Sequence, residues 1–244
     1  MESSTTLKLK EIADAYEGGT GNRVRKRGRR RSDALLPLVF NGKQLHSYAK
    51  DNAFTDEAEG AGSGSSTAKG MPVITIRSLT DISIDDSQVA HYAMKREVPP
   101  DGLTQEGDVV VSLTAPFSAA CVNADHVGYF VTNACAIIRF AKPQVDQLPE
   151  RMRIDPWFLA CYLNLDSVRS VLKSKTLGGK SPSLKIDQLE DIDIPQVGAD
   201  QQRLLADMAR SYADCARMRR SVDALQREAL ESAFARSFGA GTEA

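Results

Sequence analysis

Several features that define large functional classes are missing from this chain of 244 residues. Hydrophobic residues make up 42% of it, yet no apolar run approaches the roughly eighteen residues that a membrane-spanning helix needs. The amino terminus, MESSTTLKLKEIADAY, lacks the apolar core of a signal peptide, so we expect a cytoplasmic protein. The three histidines have no zinc-like spacing, so we expect no metal site. The four cysteines form no Cys-x-x-Cys pair, and we expect buried thiols at Cys121, Cys135, Cys161 and Cys215.

Catalytic motifs are missing as well. Gly179-Lys180-Ser181 resembles the end of a nucleotide-binding P-loop, but the glycine required five positions earlier is Ser174, and the preceding segment is helical. The chain contains no Gly-x-Ser-x-Gly, His-Glu-x-x-His or Gly-x-Gly-x-x-Gly motif. It also lacks the Asn-Pro-Pro-aromatic quartet with which an adenine methyltransferase holds a flipped base. We therefore predict a binding protein with no catalytic residue and no cofactor.

Positive charge is concentrated in one segment, although the formal net charge of the chain is only −1. RVRKRGRRR, at positions 23–31, contains seven cations and no acid. Such a block commonly binds a polyanion, and the alternative is a solvated surface loop. We predict contacts with DNA phosphates, which add affinity and salt dependence but no specificity, from Arg23, Arg25, Lys26, Arg27, Arg29, Arg30 and Arg31.

A second group of cations surrounds Gly178 and Gly179. Exposed glycine amides, lysines and hydroxyl groups are the groups that grip a DNA backbone. The alternative is a helix C-cap that happens to carry lysines. The lysines and serines of this group are Lys173, Lys175, Lys180, Lys185, Ser181 and Ser183.

Short runs rich in β-branched residues predict the body of the fold. They occur at 72–76, 108–113, 119–122, 128–132 and 135–140, and they are separated by Gly, Asn and Asp. This pattern indicates a curled, mostly antiparallel sheet in an α/β (α+β) domain with flanking helices. The Gly/Ser-rich stretch 59–70 is expected to be a flexible loop. Helical character begins at Asp155, and we assign Trp157, Phe158 and Tyr162 to the core rather than to a base-stacking platform.

The carboxy-terminal segment predicts one long helix. No proline interrupts residues 200–238, and in heptads counted from Gln201 seven of the ten a and d positions are apolar. Three Asp-Arg pairs at i,i+3 spacing recur every seven residues outside this seam. The length and the narrow seam favour a coiled coil over a core helix. The seam residues are Leu204, Met208, Cys215, Met218, Val222, Leu225 and Ala229.

The order of these segments resembles a known family. LKLKEIADAYEGGT resembles the opening of a target-recognition domain of the specificity (S) subunits of type I restriction–modification systems. KGMPVITIRSLTD and LTQEGDVVVSLT are similar to strands of that domain. TLGGKSPSLKIDQLEDIDIPQVGADQQRLLADM resembles the loop and the start of the spacer helix that follow it. The resemblance extends over residues 7–237. This chain departs from the pattern at TAPFSAA, positions 114–120, where relatives usually have a glycine-rich turn.

The resemblance implies a non-catalytic subunit. In this family each recognition domain reads one half of a bipartite DNA sequence, and the long helices pack together and dock adenine methyltransferase subunits, which recruit the nuclease/translocase subunit. Family members carry the domain and the helix twice, whereas this chain carries the unit once, so we expect a homodimer or pairing with another half subunit. We expect a recognition domain at 1–197, a dimerising spacer helix at 198–238 and a disordered tail at 239–244.

Base readout is expected from loop side chains that meet base edges in the major groove. An ion-pair role is an equal alternative for Arg77. The candidates are Arg77, Ser78, Thr114, Lys175, Lys180 and Ser183, and we expect phosphate contacts from Lys173 and Lys185 in addition to the basic block. Two other functions stay open: a stand-alone DNA-binding regulator without a methyltransferase partner, and a coiled-coil adaptor that binds proteins only.

Overall fold

The computed structural model describes residues 6–16, 39–54, 70–80, 82–140, 152–176 and 182–239. Two four-stranded sheets form the body of the fold. The basic block at 23–31, Lys180 and the Gly/Ser-rich stretch up to residue 69 lie outside the described residues. In the part of the chain that is described, no helix combines the length and the apolar composition needed to cross a membrane.

The central sheet contains four antiparallel strands, and the runs at 108–113, 119–122 and 135–140 predicted three of them. The strands are β2 (Val39–Asn41), β8 (Val109–Ser112), β9 (Ala119–Cys121) and β11 (Cys135–Ile138), in the order β2-β11-β8-β9. Every residue of β8, β9 and β11 is buried. Burial on both faces explains why these strands have continuous apolar sequences instead of an alternating pattern.

The second sheet has the order β10-β4-β7-β3. It contains β3 (Ala49–Phe54), β4 (Met71–Ile74), β7 (Ala90–Met94) and β10 (Phe130–Val131). β10 runs parallel to β4, and the other neighbours are antiparallel. Two smaller pairs complete the strands: β5 (Leu79–Thr80) with β6 (Ser83–Ile84), and β1 (Thr6–Lys8) with β12 (Asp193–Pro195).

The central sheet lies between the helices and the second sheet. The helices are α1 (Leu9–Tyr16), α2 (Pro156–Leu163), α3 (Asp166–Lys175), α4 (Ile186–Glu190) and α5 (Ala199–Gly239). Val109 and Val111 share a core with residues of these helices, whereas Val110, between them in β8, packs in a second core with Ile74 and Val131 of the second sheet. This alternation follows from the two-residue period of a strand. The predicted α/β fold with a mostly antiparallel sheet is confirmed.

Helix α2 begins where the sequence predicted. Asp155 is its N-cap, and the Asp155 carboxylate accepts a hydrogen bond from the Trp157 backbone N–H at 2.8 Å. Phe158 is buried in the core, and Trp157 and Tyr162 are half-buried against it. The prediction that these aromatic residues belong to the core is confirmed.

Helix α5 is 41 residues long, which corresponds to about 61 Å. Its first turns belong to the body of the fold, because Gln202, Ala206, Ala209 and Ala213 are buried. Every residue from Ser221 to Phe238 is exposed. The helix therefore packs on its own domain at one end and is bare at the other.

Two expectations at individual residues meet different outcomes. The Asp-Arg pairs of α5 are present, with N–O distances of 3.7 Å from Arg203 to Asp200, 2.7 Å from Arg210 to Asp207 and 3.1 Å from Arg217 to Asp214.

The expectation of four buried thiols is wrong for the third and fourth cysteines. Cys121 and Cys135 are buried, Cys161 is half-buried and Cys215 is exposed. Burial raises the pKa of the Cys121 thiol above its ordinary value and that of Cys135 to about 12.

Candidate nucleic-acid interface

The turn between β8 and β9 meets the loop before α4. Thr114 forms an isolated antiparallel bridge with Ser183, and the Leu184 N–H donates to the Leu113 carbonyl at 2.7 Å. Sixty-nine positions of sequence separate Thr114 from Ser183, yet their backbones are neighbours. The structure therefore brings together two of the residues that the sequence suggested for base readout.

The β8–β9 turn is fixed by its own hydrogen bonds. The Phe117 N–H donates to the Thr114 carbonyl at 2.9 Å, and the Ser112 hydroxyl donates to the same carbonyl at 2.7 Å. Phe117 has a φ of +58°, which is uncommon for a bulky residue, and its side chain is buried in the core. Core packing holds this backbone conformation in place and determines which residues of the turn face solvent.

A polar cleft of about 410 Å³ opens beside the turn. It combines hydroxyl, amide, ammonium and carboxylate groups, which can donate to and accept from base edges. The residues with polar side chains that line it are Asn41, Thr114, Asn133, Ser183, Lys185 and Asp187. We call this group the polar cleft.

Sequence reasoning did not identify Asn41 or Asn133. Asn41 ends β2, and Asn133 lies in the turn between β10 and β11. Each is an exposed amide at or just beyond the end of a strand, and that position is the signal that could have identified them. Asp187 was missed as well, and its carboxylate makes the cleft less cationic than the lysine count alone suggests.

The lysines near the cleft divide into free and paired ones. Lys173 and Lys185 are exposed, as phosphate contacts must be. The Lys175 ammonium, in contrast, lies 2.5 Å from an Asp191 carboxylate oxygen. The hydrogen bond and charge of Lys175, together with those of Lys8, hold the pKa of the Asp191 carboxyl below its ordinary value. This pairing favours a structural role for Lys175 over base readout.

Arg77 and Ser78 lie in a single 3₁₀ turn, Ile76–Ser78, but they face different surroundings. Ser78 is fully buried, and its hydroxyl donates to the Thr75 carbonyl at 2.9 Å and accepts from the Thr75 N–H at 3.0 Å. This geometry caps the turn and leaves no hydroxyl for DNA. Arg77 is exposed.

Arg77 and the polar cleft lie toward the same edge of the second sheet. The strands before them, β4 and β10, are adjacent and parallel, and the Thr132 N–H donates to the Ile74 carbonyl at 3.2 Å. Arg77 follows Ile74 by three residues, and Asn133 of the cleft follows Thr132 directly. Because these two strands are parallel, their carboxyl ends lie on the same side of the sheet.

The apolar seam of α5 is uncovered along its length. Leu204 is 61% exposed, Met218 is 58% exposed and Leu225 is 64% exposed. Met208, Cys215, Val222 and Ala229 are exposed as well. The helix uses a different side, that of Ala206, Ala209 and Ala213, to pack on its domain. A continuous apolar face that the described residues leave open is typical of an interaction surface.

Fold and site together define a class: an α/β domain with a polar cleft at one edge and a long helix with an open apolar face. Two solved structures are similar to this chain. One is the crystal structure of the HsdS subunit from Thermoanaerobacter tengcongensis, with 16% identity and a TM-score of 0.45 over 83% of this chain and 49% of that one. The other is a structure that concerns the complex assembly and conformational transition of the type I R-M system. Its sequence identity is 15% and its TM-score 0.40, over 92% of this chain and 48% of that one. This chain spans about half the length of either. No family model and no curated protein matches it.

Proposed function

We propose that this chain is a DNA-recognition unit of the specificity subunit of a type I restriction–modification system, which reads one half-site without catalysing a reaction. The observation that carries the proposal is the polar cleft. Two of the segments that resemble the family, around Thr114 and around Ser183, are far apart in sequence and meet there. The same domain holds the amino-terminal end of the long helix.

Base readout in this proposal belongs to Thr114, Ser183 and Arg77, with the amides of Asn41 and Asn133. These groups are exposed or half-buried, and all except Arg77 line the polar cleft. Hydroxyl and amide groups read base edges in the major groove, and an arginine can bind guanine through two hydrogen bonds. Ser78 and Lys175 have no part in it, because their polar atoms have intramolecular partners.

Phosphate contacts belong to Lys173 and Lys185 in the described part of the chain. The basic block at 23–31 and Lys180 add to them in the proposal on the strength of their sequence alone. Such contacts contribute affinity for any duplex and make it depend on salt. Specificity then rests on the cleft.

The exposed seam of α5 binds the equivalent helix of a second half subunit, either another copy of this chain or a separate one. Seam residues repeat with the spacing of a coiled coil and are exposed. The paired helices, in turn, dock adenine methyltransferase subunits, which recruit the nuclease/translocase subunit. These partners follow from the resemblance in sequence to the family.

Binding of the full chain to a randomised duplex library tests the function. We expect enrichment of a defined sequence. Lys185→Gln should weaken binding to all sequences alike, whereas Thr114→Val should change the enriched sequence. Lys50→Gln, at an exposed lysine in the edge strand β3 of the second sheet, is the matched control and should leave both unchanged. No retention of any duplex at low salt would leave the protein-only adaptor as the better function.

Affinity purification from the native host separates the two DNA-binding functions. A specificity subunit should co-purify with an adenine methyltransferase, and the Val222→Asp/Leu225→Asp variant should lose it. A chain that enriches a DNA sequence but brings down no methyltransferase is instead a stand-alone regulator.

A further inference from the structure

The tip of the β8–β9 turn is apolar, although polar groups surround it. Ala115 and Pro116 are exposed, whereas Phe117 and Ser118 after them are buried and Thr114 before them is half-buried. Neither exposed side chain can donate or accept a hydrogen bond, and Pro116 also has no backbone N–H. Any base contact made by these two side chains must therefore be a contact with an apolar group.

The tip is supported from behind by two helices. The Asn164 amide group accepts from the Ala119 N–H at 3.2 Å and donates to the Ala119 carbonyl at 2.6 Å, which ties α2 to the strand after the turn. Arg169 of α3 donates to the Asn164 side-chain oxygen at 2.5 Å and reaches the Ser118 hydroxyl at 3.5 Å. With Phe117 in the core, these bonds hold the tip in one position. A rigid support of this kind is what a contact with a single chemical group requires.

The tip is part of the same surface as the polar cleft. Thr114 lines the cleft and directly precedes Ala115, and its backbone bridges to Ser183. Because Ala115 directly follows Thr114, the tip lies beside any base edge that binds against Thr114. In the major groove only thymine presents an apolar group, its 5-methyl group, and alanine-like side chains contact it.

We propose that Ala115 and Pro116 determine specificity by contacting the 5-methyl group of one thymine in each half-site. The proposal rests on the proposed function and adds to it a base identity at one position. The turn that replaces the expected glycine-rich segment is then a reader of thymine, which contacts DNA through side chains instead of through its backbone.

Single replacement of each thymine by deoxyuridine in the enriched duplex tests the proposal, because uracil lacks only the methyl group. With the wild-type chain we expect one thymine per half-site whose replacement weakens binding roughly fourfold, the effect of one buried methyl group on a binding constant. In Ala115→Ser and Pro116→Ser the thymine and uracil duplexes should bind alike. Pro100→Ser, at an exposed proline in another turn, is the matched control and should keep the fourfold difference.

Three results would overturn the proposal, and they differ from one another. If uracil replacement leaves the binding affinity unchanged at every position, the tip does not contact a thymine methyl group. Insertion into the minor groove or contact with a protein would then be the role of the tip. If the fourfold difference persists in both Ala115→Ser and Pro116→Ser, another residue reads the methyl group. If the wild-type chain enriches no duplex, the proposed function fails as well. Ala115→Ser keeps the test valid should Pro116→Ser fail to fold.

Discussion

At the scale of single residues, one buried ion pair fixes the strand that leads to the candidate site. Arg139, at the end of the central sheet, donates from Nε to Asp108 Oδ1 at 2.9 Å and from Nη2 to Asp108 Oδ2 at 2.7 Å. Its Nη2 also donates to the Leu103 carbonyl at 2.6 Å. Asp108 is buried and directly precedes β8. Burial raises the pKa of the Asp108 carboxyl, and the Arg139 guanidinium opposes that rise.

Arg139→Met should destabilise the protein by about 3–5 kcal/mol at neutral pH, because it leaves a buried carboxylate without its partner. The measurement is the free energy of unfolding from urea denaturation. Arg203→Met is the control: it removes the exposed partner of Asp200 and should change stability by less than about 1 kcal/mol. Equal losses of unfolding free energy in the two variants would show that the buried Arg139–Asp108 pair stabilises the fold no more than an exposed pair does.

The destabilisation caused by Arg139→Met should be smaller in acid. Without the guanidinium, burial raises the pKa of Asp108 in the folded protein further above its unfolded value. A carboxyl with a raised pKa binds its proton more tightly in the folded state, so stability falls as the pH rises from the unfolded pKa to the folded one. Unfolding free energies at about pH 5 and about pH 8 should therefore differ less from wild type at the lower pH. A pH-independent difference would contradict this explanation.

Which polar residues are available to a ligand was the part of the site that sequence could not predict. Lys175 and Ser78 have the right chemistry and lie in the right segments, but an ion pair and a turn use their polar atoms. Asp191 lies sixteen positions after Lys175, and their contact depends on the packing of the helices between them. Burial of Phe158, in contrast, was predictable, since an apolar run after an N-cap is a local pattern.

At the scale of elements, α5 packs on its own domain with one face and leaves an apolar face exposed. Small side chains at Ala206, Ala209 and Ala213 let it approach its own domain closely. Charged pairs extend this contact: Arg210 lies 3.1 Å from Asp155, and Arg217 lies 3.1 Å from Asp125. The heptad pattern predicted the helix and the open seam. It could not predict the alanine face, because alanine is common on any side of a helix.

Val222→Asp combined with Leu225→Asp should convert a dimer to a monomer with weak DNA binding. Both side chains are at least half exposed on the bare end of α5, so the change should leave the fold intact while adding two charges to the seam. Sedimentation measures the oligomeric state. Ala224→Asp with Ala235→Asp adds the same charge outside the seam positions and should leave the dimer unchanged. Dissociation by both variants alike would point to total charge and not to the seam.

At the scale of the whole molecule, the chain is nearly neutral but its charges are segregated. A net charge of −1 includes seven cations within positions 23–31. A neutral molecule exerts little long-range attraction, so the proposed binding to DNA would depend on where the cations are concentrated. The distribution of charge can be read from the sequence alone, and so can the order of the segments along the chain. The sequence does not give the meeting of Thr114 with Ser183, which depends on how distant segments pack.

Replacement of Arg29, Arg30 and Arg31 by alanine should reduce the dependence of DNA affinity on salt and leave the preferred sequence intact. Each lost phosphate contact lowers the slope of log affinity against log salt by about 0.9, so three contacts would lower it by about 2.7. Binding titrations at several salt concentrations give the slope. A changed consensus in the variant would instead assign these arginines to base readout.

The symmetry of the assembly should be visible in the DNA that it selects. If two copies pair through identical seams, the interface has two-fold symmetry, and each copy presents the same polar cleft in the opposite direction along the duplex. In the proposed assembly the long helices separate the two clefts, so we expect a randomised library to yield an inverted repeat with an unread centre. The Val222→Asp/Leu225→Asp variant should select a single half-site with weaker binding, since it loses the second contact. A wild-type consensus without internal symmetry would mean that the seam pairs with a different half subunit. A mixture of this chain with that half subunit should then select a longer, asymmetric site.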